Sequence, residues 1–212
     1  VHDSRLVGRE RAVSALDDLI AGLARGNGAT AGISGAAGTG RTVLLSRVLG
    51  AGSALASCVP DGIPFGAVTQ LAAALLPPAE FGELVGVCLE DRDGAAGRLC
   101  DTFAALAGER ALVLAVDDLQ WADEWSLRWF AEMTGRVGEL PVLLVATTYE
   151  PLARGHRIPL APLPPVEMAT LVRQVLGELP PSVEAAVLDV ARGRPAVLRE
   201  LAERWAVAGR RA

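Results

Sequence analysis

The 212 residues, 51% apolar and 21% charged, have ordinary globular composition and suffice for one α/β core with a small second module, which excludes a disordered or low-complexity chain. A formal charge of -5, with all 20 basic residues arginine, leaves no basic surface for gripping a phosphate backbone, so direct nucleic-acid binding is not expected. No apolar run reaches the roughly 18 to 20 residues of a membrane span, and residues 2–5 are polar where a signal peptide would turn apolar.

Along the chain, apolar segments of strand length alternate with segments of helical period, the pattern of a parallel sheet covered by helices. Residues 30–34 read as a short strand entering a glycine-rich turn, and 41–49 as the helix that follows, with Val43, Leu44 and Val48 facing inward. A second strand is expected at 54–59, then an amphipathic helix at 64–76 stopped by Pro77 and Pro78, and a further helix at 94–107. The apolar runs at 111–116 and 142–147 have the continuous hydrophobicity of central strands buried on both faces. Between them, 123–136 spaces Trp125, Trp129 and Met133 as a crossover helix. Pro162, Pro164 and Pro165 mark a stiff connection, after which helices are expected at 166–177, 182–191 and 195–208. The organisation predicted is an α/β domain over 1–160 and a helical lid over 161–212. Cys58, Cys88 and Cys100 are odd in number, lack C-x-x-C spacing and lie apart from His2 and His156. They read as buried small hydrophobes in a reducing, cytoplasmic compartment.

The chemistry is concentrated at three strand ends. Gly35-Ala-Ala-Gly38-Thr39-Gly40-Arg41-Thr42 fits the phosphate-loop pattern, with arginine in the position usually held by lysine. Glycines at this spacing let successive backbone amides converge on phosphate oxygens, and Thr42 would offer a hydroxyl to Mg²⁺. The alternative is a glycine-rich turn with no ligand. The run at 112–116 ends on two carboxylates: Asp117 is placed to hold Mg²⁺ from a solvent-facing strand end, and Asp118 to orient or deprotonate an attacking water. Here the alternative is an acidic turn with Asp123 capping the next helix. At the end of the 142–147 strand, Thr147 stands where a hydroxyl would meet the γ-phosphate or that water, or is a strand-end threonine without such a role.

Five segments then share one resemblance: Leu6-Val-Gly-Arg-Glu10, the phosphate loop, Pro64-Phe-Gly-Ala-Val-Thr-Gln-Leu71, Val116-Asp-Asp-Leu-Gln-Trp-Ala-Asp123, and Gly193-Arg-Pro195 with Leu198 and Leu201. Together they resemble the ATPase domain of large ATP-binding LuxR-type (MalT-like) regulators, of the STAND class of AAA-like P-loop ATPases. The resemblance implies ATP or ADP with Mg²⁺ as ligand. It places Val7 and Gly8 near the adenine, Gly35 to Thr42 around the phosphates, Asp117 on the metal, Asp118 on the water, and Pro195 of the lid against base or sugar. Trp121 and Trp125 are expected to be packing residues.

Two positions depart from the family pattern, Arg41 for lysine and Tyr149 for an arginine, so only weak ATP hydrolysis, or none, is expected. The family's helix-turn-helix and helical sensor region have no counterpart before Ala212, which would leave this chain the nucleotide switch, partnered by other domains of a regulator or by itself. The competing expectation is a degenerate P-loop scaffold that binds partners without nucleotide.

Overall fold

The structure, a computed structural model, describes residues 6–208 except 51 and 61; the polar stretch 2–5, with His2, lies outside the described residues. Five parallel strands form one sheet in the order β2-β3-β4-β1-β5: β1 Ala29–Ser34, β2 Ser53–Ser57, β3 Leu112–Asp117, β4 Val142–Thr148 and β5 His156–Pro159. The α/β architecture read from the alternation, a parallel sheet covered by helices, is the one observed, with the Gly35 to Gly40 loop between β1 and the helix that follows it. β3 and β4 are the apolar runs expected at the centre, and every residue of β4 is buried.

Register brings the chemistry together. Ile33 pairs with Thr147 and Ser34 with Thr148, while Ser57 pairs with Asp117. The ends of β1, β3 and β4 therefore lie side by side at the carboxyl edge of the sheet, where open α/β folds bind ligands.

The helices are α1 Glu10–Ala24, α2 Arg41–Leu45, α3 Gly66–Leu75, α4 Pro78–Glu90, α5 Arg92–Glu109, α6 Glu124–Arg136, α7 Pro165–Leu176, α8 Pro181–Ala191 and α9 Pro195–Ala208. α1 and α2 cover one face of the sheet through Leu16, Leu23, Leu44 and Leu45, packed on Ala31, Ile33, Leu143 and Val145. α3, α5 and α6 cover the other, with Leu71, Leu99, Phe103, Trp129 and Met133 around Leu114 and Leu144. Phe103 and Trp129 meet at 5.2 Å between ring centroids, and both are fully buried. A smaller cluster of Leu163, Met168, Leu171, Val172, Ala191 and Leu198 holds the C-terminal helices together.

Several elements differ from the reading of the sequence. The helix expected at 41–49 is α-helical only to Leu45, and Ser46–Val48 continues as a 3-10 turn in which the Ser46 hydroxyl donates to the Val43 carbonyl at 2.7 Å. α1, α4 and β5 are additions. Pro77 and Pro78 do stop α3, but Pro78 also opens α4, a position where its missing N–H costs nothing. β5 is an edge strand, which is where a terminal proline is tolerated.

Cys88 and Cys100 are buried, Cys58 is half-buried, and all three are free thiols. Burial pushes the Cys100 thiol up to about 12 and that of Cys58 to about 11, the latter helped by Asp123, Asp118 and Asp117, so neither forms a thiolate readily. Among the described residues no helix is long and apolar enough to cross a membrane.

Asp123 caps two helices at once. Its carboxylate accepts from the amides of Trp125 and Ser126 at the start of α6, and from those of Phe65 and Gly66 at the start of α3. The Ser126 hydroxyl adds a fifth donor at 2.6 Å. We expect Asp123→Ala to lower stability by about 2 kcal/mol, the upper range for a lost cap, because donors of two helices lose their acceptor together. Urea denaturation checks this; a loss within 0.5 kcal/mol, roughly that of an ordinary surface substitution, would be the contrary result.

Candidate nucleotide site

The loop from Gly35 to Gly40 is shaped by close approaches that exclude side chains. A Cβ on Gly35 would stand 2.5 Å from the Leu160 carbonyl oxygen. Gly38 and Gly40 have φ of 82° and 97°, left-handed backbone that glycine adopts without strain. The loop is tied from both sides: the Ala196 amide of α9 donates to the Gly38 carbonyl at 3.1 Å, and Arg9 Nη2 donates to the Thr39 carbonyl at 3.0 Å. Burial pulls the Arg9 guanidinium below its ordinary value, although Glu167 and Glu10 oppose the shift. With these carbonyls engaged outward, the loop and α9 form one connected unit, and the Gly193-Arg-Pro195 turn sits directly on the phosphate loop. Gly193 itself has φ 72°, and its carbonyl accepts from the Leu163 amide at 2.7 Å.

A cavity of about 290 Å³ opens here, lined among others by Val7, Gly38, Thr39, Gly40, Arg41, Thr42, Asp118 and Pro195. Eight of the residues singled out in the sequence are thus brought around one space. Four are not on its wall. Gly8 lies beside it, closed in by the Glu167 carboxylate, which occupies the place a Cβ would need. Gly35 forms the back of the loop, its amide bonded to the Thr148 carbonyl at 3.2 Å. Asp117 and Thr147 lie beneath.

Asp117 is not solvent-facing, as the sequence suggested, but buried at 9% exposure. The reason is its neighbour: the Thr147 hydroxyl, itself fully buried, donates to Asp117 Oδ1 at 2.6 Å and accepts from the Asp118 amide at 2.7 Å. That proton is therefore directed at Asp117 and away from the cavity. Asp118 has φ 55° and ψ 49°, a left-handed conformation that aspartate tolerates better than most residues.

The cavity wall holds a second arrangement that the sequence did not disclose. Arg41 is buried, its Nη2 donates to Asp118 Oδ1 at 2.7 Å, and its guanidinium carbon lies 4.5 Å from the centre of the Tyr149 ring. Gln120 Nε2 donates to the same Asp118 oxygen at 2.9 Å. Arg41 Nη1 is buried with no partner in the protein. Of the two tryptophans expected to be packing residues, Trp121 is 41% exposed and meets Tyr149 edge-on at 6.2 Å, and Trp125 is stacked on Phe65 at 5.7 Å.

Sequence reasoning also assigned no role to Arg9 or Arg199, both on the cavity wall. Arg9 stands inside the Leu6 to Glu10 string, so its position was available; Arg199 carried no signal beyond sharing a helix with Pro195. Three arginines, Arg9, Arg41 and Arg199, and one carboxylate residue, Asp118, line the cavity, a balance suited to a polyphosphate. Leu6, Val7, Pro195 and Ala196 supply apolar surface for a base. The unpaired Arg41 Nη1 is a buried donor of the kind a phosphate oxygen would satisfy. For a metal, no group of three or more His, Cys, Asp or Glu side chains occurs among the described residues. Of the two residues expected to hold Mg²⁺, Thr42 lines the cavity and Asp117 lies outside its wall, with Oδ1 accepting from Thr147; Mg²⁺ binds through one or two protein oxygens and completes its shell with phosphates and water.

The sequence over residues 5–145 matches the AAA ATPase domain family. In fold the chain is similar to a signal transduction ATPase with numerous domains (STAND) and a tetratricopeptide repeat sensor from Pyrococcus horikoshii, at TM-score 0.57 and 18% identity over 91% of this chain and 29% of that one. It is similar also to RuvB of Thermotoga maritima, at 0.56 and 16% over 93% and 61%, and to a chain of Drosophila ORC bound to DNA, at 0.62 and 16% over 99% and 58%. These likenesses are of fold, and the chain spans less than two thirds of each of the three. No curated protein matches the sequence.

Proposed function

The chain belongs to the AAA ATPase domain family, and on that premise we propose that it is an ATP- or ADP-binding switch module with little or no hydrolysis. The observation that carries this is the joining of phosphate loop and lid at one cavity: Gly38 is bonded to Ala196, next to Pro195, so a ligand on the loop also touches the helix that would report its presence. Residues 161–212 are then the moving lid and 1–160 the nucleotide-binding unit. Val7 and Pro195 hold base or sugar, the 38–42 segment holds phosphates, and Thr42 with Asp117 holds Mg²⁺. Slow turnover follows from Arg41 standing where the family has a compact lysine, and from the Thr147 hydroxyl donating to Asp117.

The motifs shared with LuxR-type regulators support a finer reading, a cytoplasmic regulator in which this module acts on other domains or on a second copy. DNA contact would belong to those other domains, since this chain is acidic. A degenerate P-loop scaffold without nucleotide is the second reading, favoured by the neutralisation of Arg41 by Asp118.

Calorimetry and thermal melting with ADP or ATP and Mg²⁺ separate the two. Saturable heat is expected, with stabilisation of roughly 2.7 kcal/mol when free nucleotide reaches about 100 times Kd. No heat and no shift at millimolar nucleotide would leave only the scaffold.

A further inference from the structure

We propose that the Arg41–Asp118 ion pair is an exchangeable gate on the nucleotide site, so that Asp118 sets nucleotide affinity by competing with phosphate for the Arg41 guanidinium. The proposal rests on the nucleotide reading above and adds to it how the site is held when no phosphate is bound.

The geometry carries it. Arg41 is the guanidinium in the position of the phosphate-loop lysine, and its side chain is only 9% exposed. One of its terminal nitrogens is spent on Asp118 at 2.7 Å and the other is buried and unpaired. A buried charge is stable only when paired, so the guanidinium requires an anion at this place, and Asp118 is the one the chain supplies. Asp118 is better exposed, at 35%, and therefore able to turn toward water when released. A phosphate entering the loop brings negative charge against Asp118 and needs the same donor. Either Asp118 yields Arg41 or the two anions repel one another.

Two neighbours bias the exchange. Gln120 holds Asp118 Oδ1 at 2.9 Å and so favours the closed pair. Tyr149 lies under the guanidinium at 4.5 Å and fixes its plane, a contact a cation–π pair supplies and that allows sliding in the plane of the ring. Trp121 meets Tyr149 edge-on at 6.2 Å between centroids, which makes its indole a reporter of what Arg41 does.

The test uses the full chain with MgADP and MgATP. Asp118→Asn keeps the size, tolerates left-handed backbone and retains an acceptor for Gln120, while removing the competing charge. Nucleotide affinity is expected to rise on the order of ten- to a hundredfold, the equivalent of one hydrogen bond to a charged group. In the parent, adding ADP is expected to change the emission that is lost in Trp121→Phe. Binding by Asp118→Asn with no binding by the parent also supports a closed gate. Unchanged or weaker affinity in Asp118→Asn overturns the gate and leaves the nucleotide reading standing. Higher affinity in the variant, with a parent that binds ADP but shows no Trp121 response, shows that Asp118 repels phosphate while Arg41 stays in place, which overturns the exchange. If neither protein binds nucleotide and both are folded by circular dichroism, the nucleotide reading falls and the pair is a structural one. Should Asp118→Asn not fold, Gln120→Ala, which frees Asp118 from its second donor, is expected to raise affinity by a smaller factor, and no rise overturns the gate.

Discussion

Replacing Arg41 with lysine is expected to increase ATP turnover by on the order of 10² to 10³ and to shift preference from ADP toward ATP. A lysine ammonium is a compact charge that reaches between β- and γ-phosphate oxygens, whereas a guanidinium is a broad planar fork. In this protein the fork is fixed further by the Tyr149 ring, whose centre lies 4.5 Å from the guanidinium carbon. It meets phosphate from one side and does not follow charge as it shifts onto the leaving oxygen, so the transition state gains little over the ground state. Lysine loses the ring contact and acts as a point charge that can follow the phosphate oxygens. The nucleotide-free protein is expected to melt within a few degrees of the parent, because the lost cation–π contact, about 0.5 to 2 kcal/mol, is offset by removal of the unpaired buried Nη1. Phosphate release under saturating ATP and titrations with each nucleotide provide the measurement. A lysine variant that hydrolyses no faster and binds the two nucleotides in the parental ratio would mean that the site is built around Arg41, or that it takes no nucleotide.

Much of the fold was legible because the sequence states it locally. The runs at 112–116 and 142–146 are apolar at every position, which is what strands covered on both faces require, and they are the centre of the sheet. The period of Trp125, Trp129 and Met133 gave α6, and Asp123 lies at its start as a cap. What stayed hidden depends on pairs distant in the chain. Whether 156–159 forms a strand is decided by the free edge of β1 and not by its own residues, which include arginine and proline. α1 was readable from Ala12, Leu16 and Leu23, spaced for one helix face.

The site divides in the same way. Cavity residues in the phosphate loop follow from local spacing, whereas Arg41 with Asp118 is 77 positions apart and Thr147 with Asp117 is 30. Spacing places carboxylates and hydroxyls at strand ends, but register decides which of them bond to each other. That is why Thr147, a candidate for the γ-phosphate from its strand-end position, is found as the support of Asp117 instead.

Asp117 is the position where that support has the largest consequence. The carboxylate is buried, accepts the Thr147 proton at 2.6 Å, and through Thr147 is linked to the amide of Asp118. Asp117→Ala is therefore expected to do two things, abolish the Mg²⁺ dependence of nucleotide binding and destabilise the fold by about 1 to 3 kcal/mol, since the buried Thr147 hydroxyl loses its acceptor. Asp117→Asn separates them. The amide oxygen still accepts from Thr147 and the volume is preserved, so stability is expected to stay within about 1 kcal/mol of the parent. The neutral group no longer holds Mg²⁺, whose ligands here would be carboxylate, hydroxyl and phosphate oxygens. Dissociation constants measured with Mg²⁺ and with EDTA should then differ in the parent and coincide in Asp117→Asn, while urea denaturation of the two proteins nearly overlays. If the asparagine variant keeps the parental ratio between the two conditions, the metal is held elsewhere and Asp117 serves only to orient the end of β3. If it loses stability as fully as the alanine variant, the negative charge of Asp117, and not its acceptor oxygen, is what the Thr147–Asp118 link requires.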